Sequence, residues 1–181
     1  MKASCRRLAL ILLASVAAPA TFGLARNAEA GGQVTIGVTE TIASYNPYAD
    51  SISMGYAIWC QVYGCLGIYD YEKGDYVGML VERWEVDKAD KNVWTFHLKR
   101  GVKRQNDGVE FTSADVIHSV DRINNDPQSK QKQNISPIKD VVALDKYTVK
   151  IVTKEPTASL LEYIFDRVII SAKDLYDKHG A

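Results

Sequence analysis

Alternating apolar and polar residues between Val81 and Asn124 predict two strands, followed by a tight turn and a helix. The segments VERWEV (81–86) and VWTFHL (93–98) place large apolar residues at every second position, which is typical of strands with one buried face. The polar residues 87–92 between them form the predicted hairpin turn. The aromatic residues of these strands are therefore expected to lie in the core rather than on a ligand-binding surface: Trp84, Trp94 and Phe96.

A turn and a helix start follow the second strand. Asn106-Asp107-Gly108 indicates a turn, because glycine accepts a positive φ and Asn and Asp side chains bond nearby backbone groups. Thr112 with Asp115 three residues later forms a helix-capping pattern. Behind it, four apolar residues share one helical face: Val116, Ile117, Val120 and Ile123. We therefore expect Asp107 and Asp115 to have structural roles, as turn former and helix-start partner.

The remaining periodicity predicts further strands and helices, and so a mixed α+β fold. The predicted elements are a strand (33–39), a loop (40–50), a helix (51–63), a strand (67–71), a surface loop (125–137), a hairpin (138–153), a helix (157–165), a buried strand (167–170) and a last helix (171–179).

The first thirty residues have the organisation of a secretory signal peptide. Lys2, Arg6 and Arg7 precede an apolar run (8–19) that is short for a membrane span, and the small-x-small sequence at residues 28–30 is a cleavage site. We therefore assign residues 1–30 to a leader cut after Ala30, in preference to an uncleaved membrane anchor. Removing four basic and one acidic residue leaves 18 basic and 21 acidic residues, a net charge of −3.

Composition narrows the classes of function. An apolar content of 46% and a charged content of 24% are ordinary for a soluble globular protein. No basic patch is interleaved with stacking aromatic residues, so a nucleic-acid partner is not expected. The three histidines are isolated: His97 and His118 are predicted to lie on polar faces, and His179 is close to the C-terminus. No nucleophile or carboxylate accompanies any of them, so no catalytic residue and no cofactor are predicted.

Two cysteines remain after the leader, Cys60 and Cys65. Export would place them in an oxidising compartment, where a disulfide is permitted. They would face different sides of a continuous helix, but Gly64 is expected to end that helix, which makes closure possible. Buried free thiols are the alternative, and the sequence leaves both open. No metal site is predicted, because no histidine or further cysteine lies at ligand spacing.

The order of these segments resembles the oligopeptide- and dipeptide-binding proteins of ABC importers, known as extracellular solute-binding protein family 5. The resemblance rests on WEV (84–86), WTFHLKRGVK (94–103), DG (107–108) and FTSADV (111–116), with an NPY loop (46–48) upstream. It extends from about Gln33 to the C-terminus. One departure is Arg104, since the family usually has an aromatic or apolar residue before the DG turn.

The resemblance implies a fold and a division of the chain. The fold would be α/β (mixed α+β), like a class II periplasmic binding protein, and would comprise part of the N-terminal lobe with its β-rich subdomain. Residues 31–45 would start lobe I, residues 46–166 would form the β-rich subdomain, and residues 167–181 would return into lobe I. Family members run to several hundred residues in two lobes, so we expect this sequence to be an incomplete, N-terminal part of such a protein.

The resemblance also implies capture of a solute rather than catalysis. The protein would be a periplasmic monomer that binds a peptide or similar small solute and delivers it to an inner-membrane ABC permease. We expect weak or no binding by this chain alone. The residues that the family would place near the ligand are Thr39, Glu40, Thr41, Tyr45 and Asn46. Tyrosine offers a broad ring with a polar tip, and asparagine offers a donor and an acceptor for a peptide backbone.

Three alternatives remain open at this point. The segment 39–46 is equally consistent with an ordinary surface loop. The chain is also compatible with a degenerate, non-binding fragment. A secreted hydrolase is the third possibility, and it would need a histidine within reach of a nucleophile.

Overall fold

An antiparallel four-stranded sheet is the centre of the fold in the computed structural model, which describes residues 35, 37, 44, 46–49, 53–105 and 107–179. The strands are β1 (Gly67–Asp70), β2 (Asp75–Gly78), β3 (Val81–Val86), β4 (Val93–Leu98), β5 (Ile138–Asp145) and β6 (Thr148–Thr153). The helices are α1 (Ser53–Val62), α2 (Ser113–Asn125) and α3 (Lys173–His179), with a 3-10 turn (Lys132–Ile135) and a π-helical turn (Glu162–Asp166). The predicted leader (1–30) lies outside the described residues, as does the predicted first strand (33–39) except for Thr35 and Gly37.

The sheet has the strand order β3-β4-β6-β5, and every neighbouring pair is antiparallel. Trp84 lies opposite Phe96, and Phe96 lies opposite Val149, so these side chains share one face of the sheet. Trp94 and Ile151 are paired on the same face one step along. Because this face is buried, the predicted alternation is confirmed, and the aromatic residues of β4 belong to the core.

Helix α2 begins where the sequence predicts it to begin. The backbone N–H of Thr112 donates to Asp115 Oδ2 at 2.9 Å, which satisfies a free donor at the helix start. The hydroxyl of Ser113 donates to the carbonyl of Asp145 at 2.7 Å and so anchors the helix to the β5–β6 turn. The helix then packs against β5, β6 and α3 through Val116, Val120 and Ile123, all of which are buried.

Phe165 joins the sheet to the β1–β2 hairpin. It lies on the π-helical turn, is 0% exposed, and makes edge-to-face contacts with Trp84, Tyr76 and Phe96 at ring-centroid distances of 5.0, 5.8 and 6.2 Å. A Cβ added to Gly67 would lie 2.3 Å from this ring. The hairpin therefore approaches the ring closely only because the position on β1 is glycine.

A disulfide closes the end of α1. Gly64, at φ +93°, ends the helix as predicted, and the structure pairs Cys60 with Cys65 across it. Cys65 forms an isolated antiparallel bridge with Ile169, and the N–H of Ile170 donates to the carbonyl of Gly64 at 3.1 Å. A disulfide that closes so short a loop stabilises the fold by about 2 kcal/mol in the chain-entropy account.

Several sequence predictions are corrected by the structure. Strand β2 is not among the predicted elements, yet it pairs with β1 along its full length. The predicted strand at 167–170 is a single bridge at Ile169, and the predicted helix at 157–165 ends in a π-helical turn. The predicted surface loop 125–137 contains a 3-10 turn and two side chains that are 1–2% exposed, Gln131 and Ile135.

Among the described helices, none has the length and apolar character that crossing a membrane would need.

Candidate functional site

A cleft of about 1140 Å³ lies between the loop 46–49, the end of α1, the segment 102–105, helix α2 and the segment 170–176. Its lining combines aromatic and aliphatic side chains with several charged ones. The apolar lining includes Val62, Tyr63, Leu80, Leu175 and Tyr176. A concave, mainly apolar lining with a few polar and charged groups is typical of small-molecule sites.

The loop 46–49 is held by the segment after α2. Asn46 Oδ1 accepts a hydrogen bond from the backbone N–H of Tyr48 at 3.0 Å, and its Nδ2 donates to Gln128 Oε1 at 3.4 Å. Gln131, which is 1% exposed, donates from Nε2 to the carbonyl of Pro47 at 2.5 Å. The side chain of Asn46 therefore stabilises its own loop at the cleft wall.

Tyr48 lies at the base of the cleft and is 0% exposed. Its hydroxyl donates to the carbonyl of Ile169 at 2.9 Å and contacts the hydroxyl of Ser171 at 2.9 Å. Burial raises the pKa of the Tyr48 hydroxyl, so it remains a neutral group. Tyr48 thus connects the loop 46–49 to the segment before α3.

Arg122 and Asp126 form a buried ion pair beside the cleft. Their side chains are 9% and 7% exposed, and Arg122 Nε donates to Asp126 Oδ2 at 3.2 Å. The guanidinium carbon also lies 4.0 Å from the ring centroid of Tyr176 and 5.1 Å from that of Tyr48. Burial alone would raise the pKa of Asp126, but hydrogen bonds from Arg122 and from the N–H of Gln128 lower it.

Arg104, the residue that departs from the family pattern, joins the DG turn to α3. Its Nη2 donates to Asp107 Oδ2 and to Asp174 Oδ2, each at 2.8 Å, and its side chain is 17% exposed. The guanidinium lowers the pKa of Asp174 to about 2. A charged residue is therefore accommodated before the DG turn because two carboxylates surround it.

Asp115 holds the start of α3 as well as that of α2. Its Oδ1 accepts a hydrogen bond from the N–H of Lys173 at 3.1 Å. One turn later, the hydroxyl of Ser119 donates to the carbonyl of Asp115 at 2.7 Å and accepts from the N–H of Ser171 at 2.9 Å. The expected helix-start role of Asp115 agrees with this geometry, which fixes the segment 170–173 against α2.

The geometry around the cleft suits non-covalent binding. Two of its lining cations are held by carboxylates next to the cleft, Arg104 by Asp174 and Arg122 by Asp126, and its accessible surface is largely aromatic and aliphatic. In the described part of the chain, no group of three or more His, Cys, Asp or Glu side chains could hold a metal ion.

The sequence profile of the bacterial extracellular solute-binding proteins, family 5 (middle), matches residues 75–180. The chain belongs to this family. The match includes the four-stranded sheet and helices α2 and α3 in full, and so the walls of the cleft downstream of residue 75.

Relatives within family 5 bind different solutes. The glutathione-binding protein GsiB of Salmonella choleraesuis is 28% identical over 75% of this chain and 26% of its own length. MoaA of A. tumefaciens R10, solved with mannopinic acid, has a TM-score of 0.65 at 27% identity and covers 75% of this chain and 28% of its own. DppA of Helicobacter pylori, an ABC transporter-associated periplasmic binding protein solved with the peptide STSA, has a TM-score of 0.63 at 26% identity, with 73% and 29% coverage. This family 5 chain therefore spans less than a third of the length of these three relatives. Its fold is that of a periplasmic binding protein.

Only one of the predicted ligand-contact residues of this family 5 chain is described. Asn46 lies at the cleft wall, whereas the other four lie outside the described residues: Thr39, Glu40, Thr41 and Tyr45. Three residues that build the wall around Asn46 were not predicted from the sequence: Tyr48, Gln131 and Arg122. The sequence held one signal for this wall. Arg122 and Asp126 are a basic and an acidic residue at i,i+4 spacing, which indicates an ion pair on a helix.

His118 is buried, which corrects the prediction that it lies on the polar side of α2. It is 9% exposed, its ring centroid lies 5.1 Å from that of Tyr176 on α3, and its Nε2 has no hydrogen-bond partner among the described residues. Burial and then the nearby charge of Arg122 lower the pKa of His118. His97, also predicted to be solvated, is half-buried, and its Nε2 lies 3.4 Å from Glu85 Oε1.

Acidification is expected to destabilise the fold through His118. Its pKa is lower in the folded state than its ordinary value of 6.5, so the unfolded chain binds the proton first as the pH falls. The free energy of unfolding should therefore decrease below about pH 6.5, by at most about 1.4 kcal/mol per pH unit from this group. Replacing His118 with Phe keeps the ring packing and should remove this part of the pH dependence.

Urea unfolding of both proteins between about pH 7.5 and pH 5 measures the difference. The other charged groups near the ring remain in both proteins: Arg122, Asp121, Asp177 and Lys173. An identical pH dependence in the His118→Phe variant and the original protein would assign the effect to another residue.

Proposed function

We propose that this chain is part of the substrate-binding component of an ABC importer, which captures peptides or similar small solutes outside the inner membrane. The observation that carries the proposal is membership of solute-binding protein family 5, combined with a periplasmic binding protein fold. Relatives named for glutathione, a peptide and mannopinic acid indicate a small, polar, amide- or carboxylate-bearing solute. The partner that accepts the solute would be an inner-membrane ABC permease.

The cleft beside Asn46 is our candidate for the part of the ligand wall that this chain contributes. The proposed contacts are those of the preceding loop: Thr39, Glu40, Thr41, Tyr45 and Asn46. The support from the described residues is that Asn46 and Tyr48 are fixed by hydrogen bonds at the cleft wall, a part-buried one at Asn46 and a buried one at the Tyr48 hydroxyl, so this end of the loop is preorganised. The role is binding without chemical conversion, by a monomer.

Export provides the first test. We propose that residues 1–30 are a signal peptide, so expression with the native leader in a Gram-negative host should release a product that begins at Gly31 into the periplasmic fraction. Mass spectrometry of the osmotic-shock fluid identifies that product. A leader-bearing chain retained in the membrane or cytoplasm would contradict the localisation.

Solute capture provides the second test. Sequencing the gene beyond codon 181 shows whether the reading frame, or the adjacent genes, encode a second lobe, a permease and an ATPase. The longest product is then titrated calorimetrically with glutathione, small peptides, opines and nickel, in parallel with the 181-residue chain. We expect saturable binding of one solute class by the longer product and weak or no binding by the 181-residue chain.

Variants locate the site. Tyr45→Ala should weaken the affinity of the longer product about tenfold or more, because an aromatic ring that contacts ligand is removed. Leu144→Ala, at a 53% exposed position on β5, is the matched control and should leave affinity unchanged. Binding of no solute class by a folded longer product would refute the proposed function, and equal effects of the two variants would refute the site.

A further inference from the structure

Three tyrosines on the β1–β2 hairpin form a row that continues the aromatic core to the surface. Starting from buried Phe165, the row passes through Tyr76 and Tyr69 to Tyr71, with ring-centroid distances of 5.8, 5.2 and 5.0 Å. All three contacts are edge-to-face, and Tyr71 at the end is 89% exposed. Exposed tyrosine rings are a common component of interfaces, because they combine a large apolar ring with a polar tip.

Two carboxylates without an ion-pair partner among the described residues lie beside this row. Glu162 and Asp166 are the two ends of the π-helical turn, and both are close enough to Tyr76 to raise the pKa of its hydroxyl, after the effect of burial. Burial also raises the pKa of Asp166, so its negative charge is incompletely solvated. π-helical turns occur frequently at functional sites.

The hairpin itself adds more negative charge than positive charge. Asp75 and Glu72 are exposed, whereas the cation of the hairpin, Lys73, already pairs with Asp70 at 3.1 Å. Arg167 opposes the effect of burial on the pKa of Asp166, and its guanidinium carbon lies 5.0 Å from the ring centroid of Tyr56. The surface therefore combines one exposed and two partly exposed tyrosine rings with more negative than positive charge.

We propose that this surface, which we call the tyrosine–carboxylate face (Tyr69, Tyr71, Tyr76, Glu162 and Asp166), is a docking site for a lysine- or arginine-bearing segment of a partner protein. One guanidinium or ammonium group of the segment stacks on the exposed ring of Tyr71, and another pairs with the carboxylates beside Tyr76. Both interactions require the same sign of charge on the partner, which is why a basic segment fits and an acidic or purely apolar one does not. The face is separate from the cleft, since none of its five residues lines the cleft.

Fluorescence anisotropy with a labelled dodecapeptide of alternating arginine and serine tests the proposal on the 181-residue chain. The same peptide with glutamate in place of arginine is the charge control. We expect binding of the arginine peptide only, with an affinity that falls as salt is added. Tyr71→Ala, and separately Glu162→Gln with Asp166→Asn, should each weaken binding about tenfold.

A matched variant removes the same amount of charge elsewhere. Asp140→Asn with Glu155→Gln alters two exposed carboxylates at the β5–β6 end of the sheet and should change affinity less than about twofold. Binding of both peptides or of neither, or equal losses in the two double variants, overturns the proposal. Analytical sedimentation of the original protein and of the Tyr71→Ala variant tests whether the face binds a second copy of this chain. Self-association of the original protein that is lost in the variant would assign the face to such a copy and overturn the proposal.

Discussion

Replacing Phe165 with Ala should destabilise the fold by about 3–5 kcal/mol, the usual range for removing a fully buried phenylalanine. The ring is 0% exposed and contacts aromatic side chains from the hairpin and from two strands of the sheet. Its removal leaves a cavity that three large rings, those of Tyr76, Trp84 and Phe96, cannot fill without moving from their edge-to-face positions. Urea unfolding followed by tryptophan fluorescence measures the loss.

A double-mutant cycle with Gly67 tests the physical reason. Gly67→Ala alone should cost about 1–3 kcal/mol, because its Cβ would lie 2.3 Å from the Phe165 ring. In a Phe165→Leu background the same substitution should cost less, since the ring carbons that it would meet are absent. Independent, additive costs would show that the hairpin does not depend on contact with this ring.

The sheet and α2 were predictable because their signals are local. The alternation in residues 81–86 and 93–98 defines a buried face, and Thr112 with Asp115 defines a helix start, without reference to any distant residue. The hairpin formed by β5 and β6 follows in the same way from alternation on both sides of a two-residue turn.

The elements that were missed depend on distant partners. Strand β2 is only four residues long and is defined by its pairing with β1, while the bridge at Ile169 exists because the chain returns to Cys65. His118 is buried because α3 covers it. Helix α3 begins more than fifty residues after His118, so no pattern within α2 predicts this contact. Tertiary packing overrides local polarity in each of these cases.

The cleft was predictable only at its edge. The resemblance pointed to the loop that ends at Asn46, but the hydrogen bonds that fix this loop come from Gln128 and Gln131, in a segment whose composition indicated solvent exposure. A buried glutamine that satisfies a backbone carbonyl has no periodic signature, since its partner is 84 residues away in the sequence. Long-range side-chain to backbone bonds of this kind are visible only in three dimensions.

Arg122→Met should destabilise the fold by about 3–5 kcal/mol at neutral pH, because it leaves the carboxylate of Asp126 buried without its cation. The side chains of this pair are only 9% and 7% exposed, so water cannot replace the lost hydrogen bonds easily. The variant also loses the contacts of the guanidinium with the rings of Tyr48 and Tyr176, which line the cleft. Urea unfolding of the original protein and the variant measures the difference.

Two further variants separate the charge effect from the packing effect. Adding Asp126→Asn to Arg122→Met should recover part of the stability, since the uncompensated charge is removed while the lost ring contacts are not. Lys173→Met breaks an exposed ion pair of the same spacing with Asp177, at 52% and 54% side-chain exposure, and should cost less than about 1 kcal/mol. Similar small costs for Arg122→Met and Lys173→Met would mean that the Arg122–Asp126 pair is solvated, and that the cleft wall beside Tyr48 is not held by a buried charge.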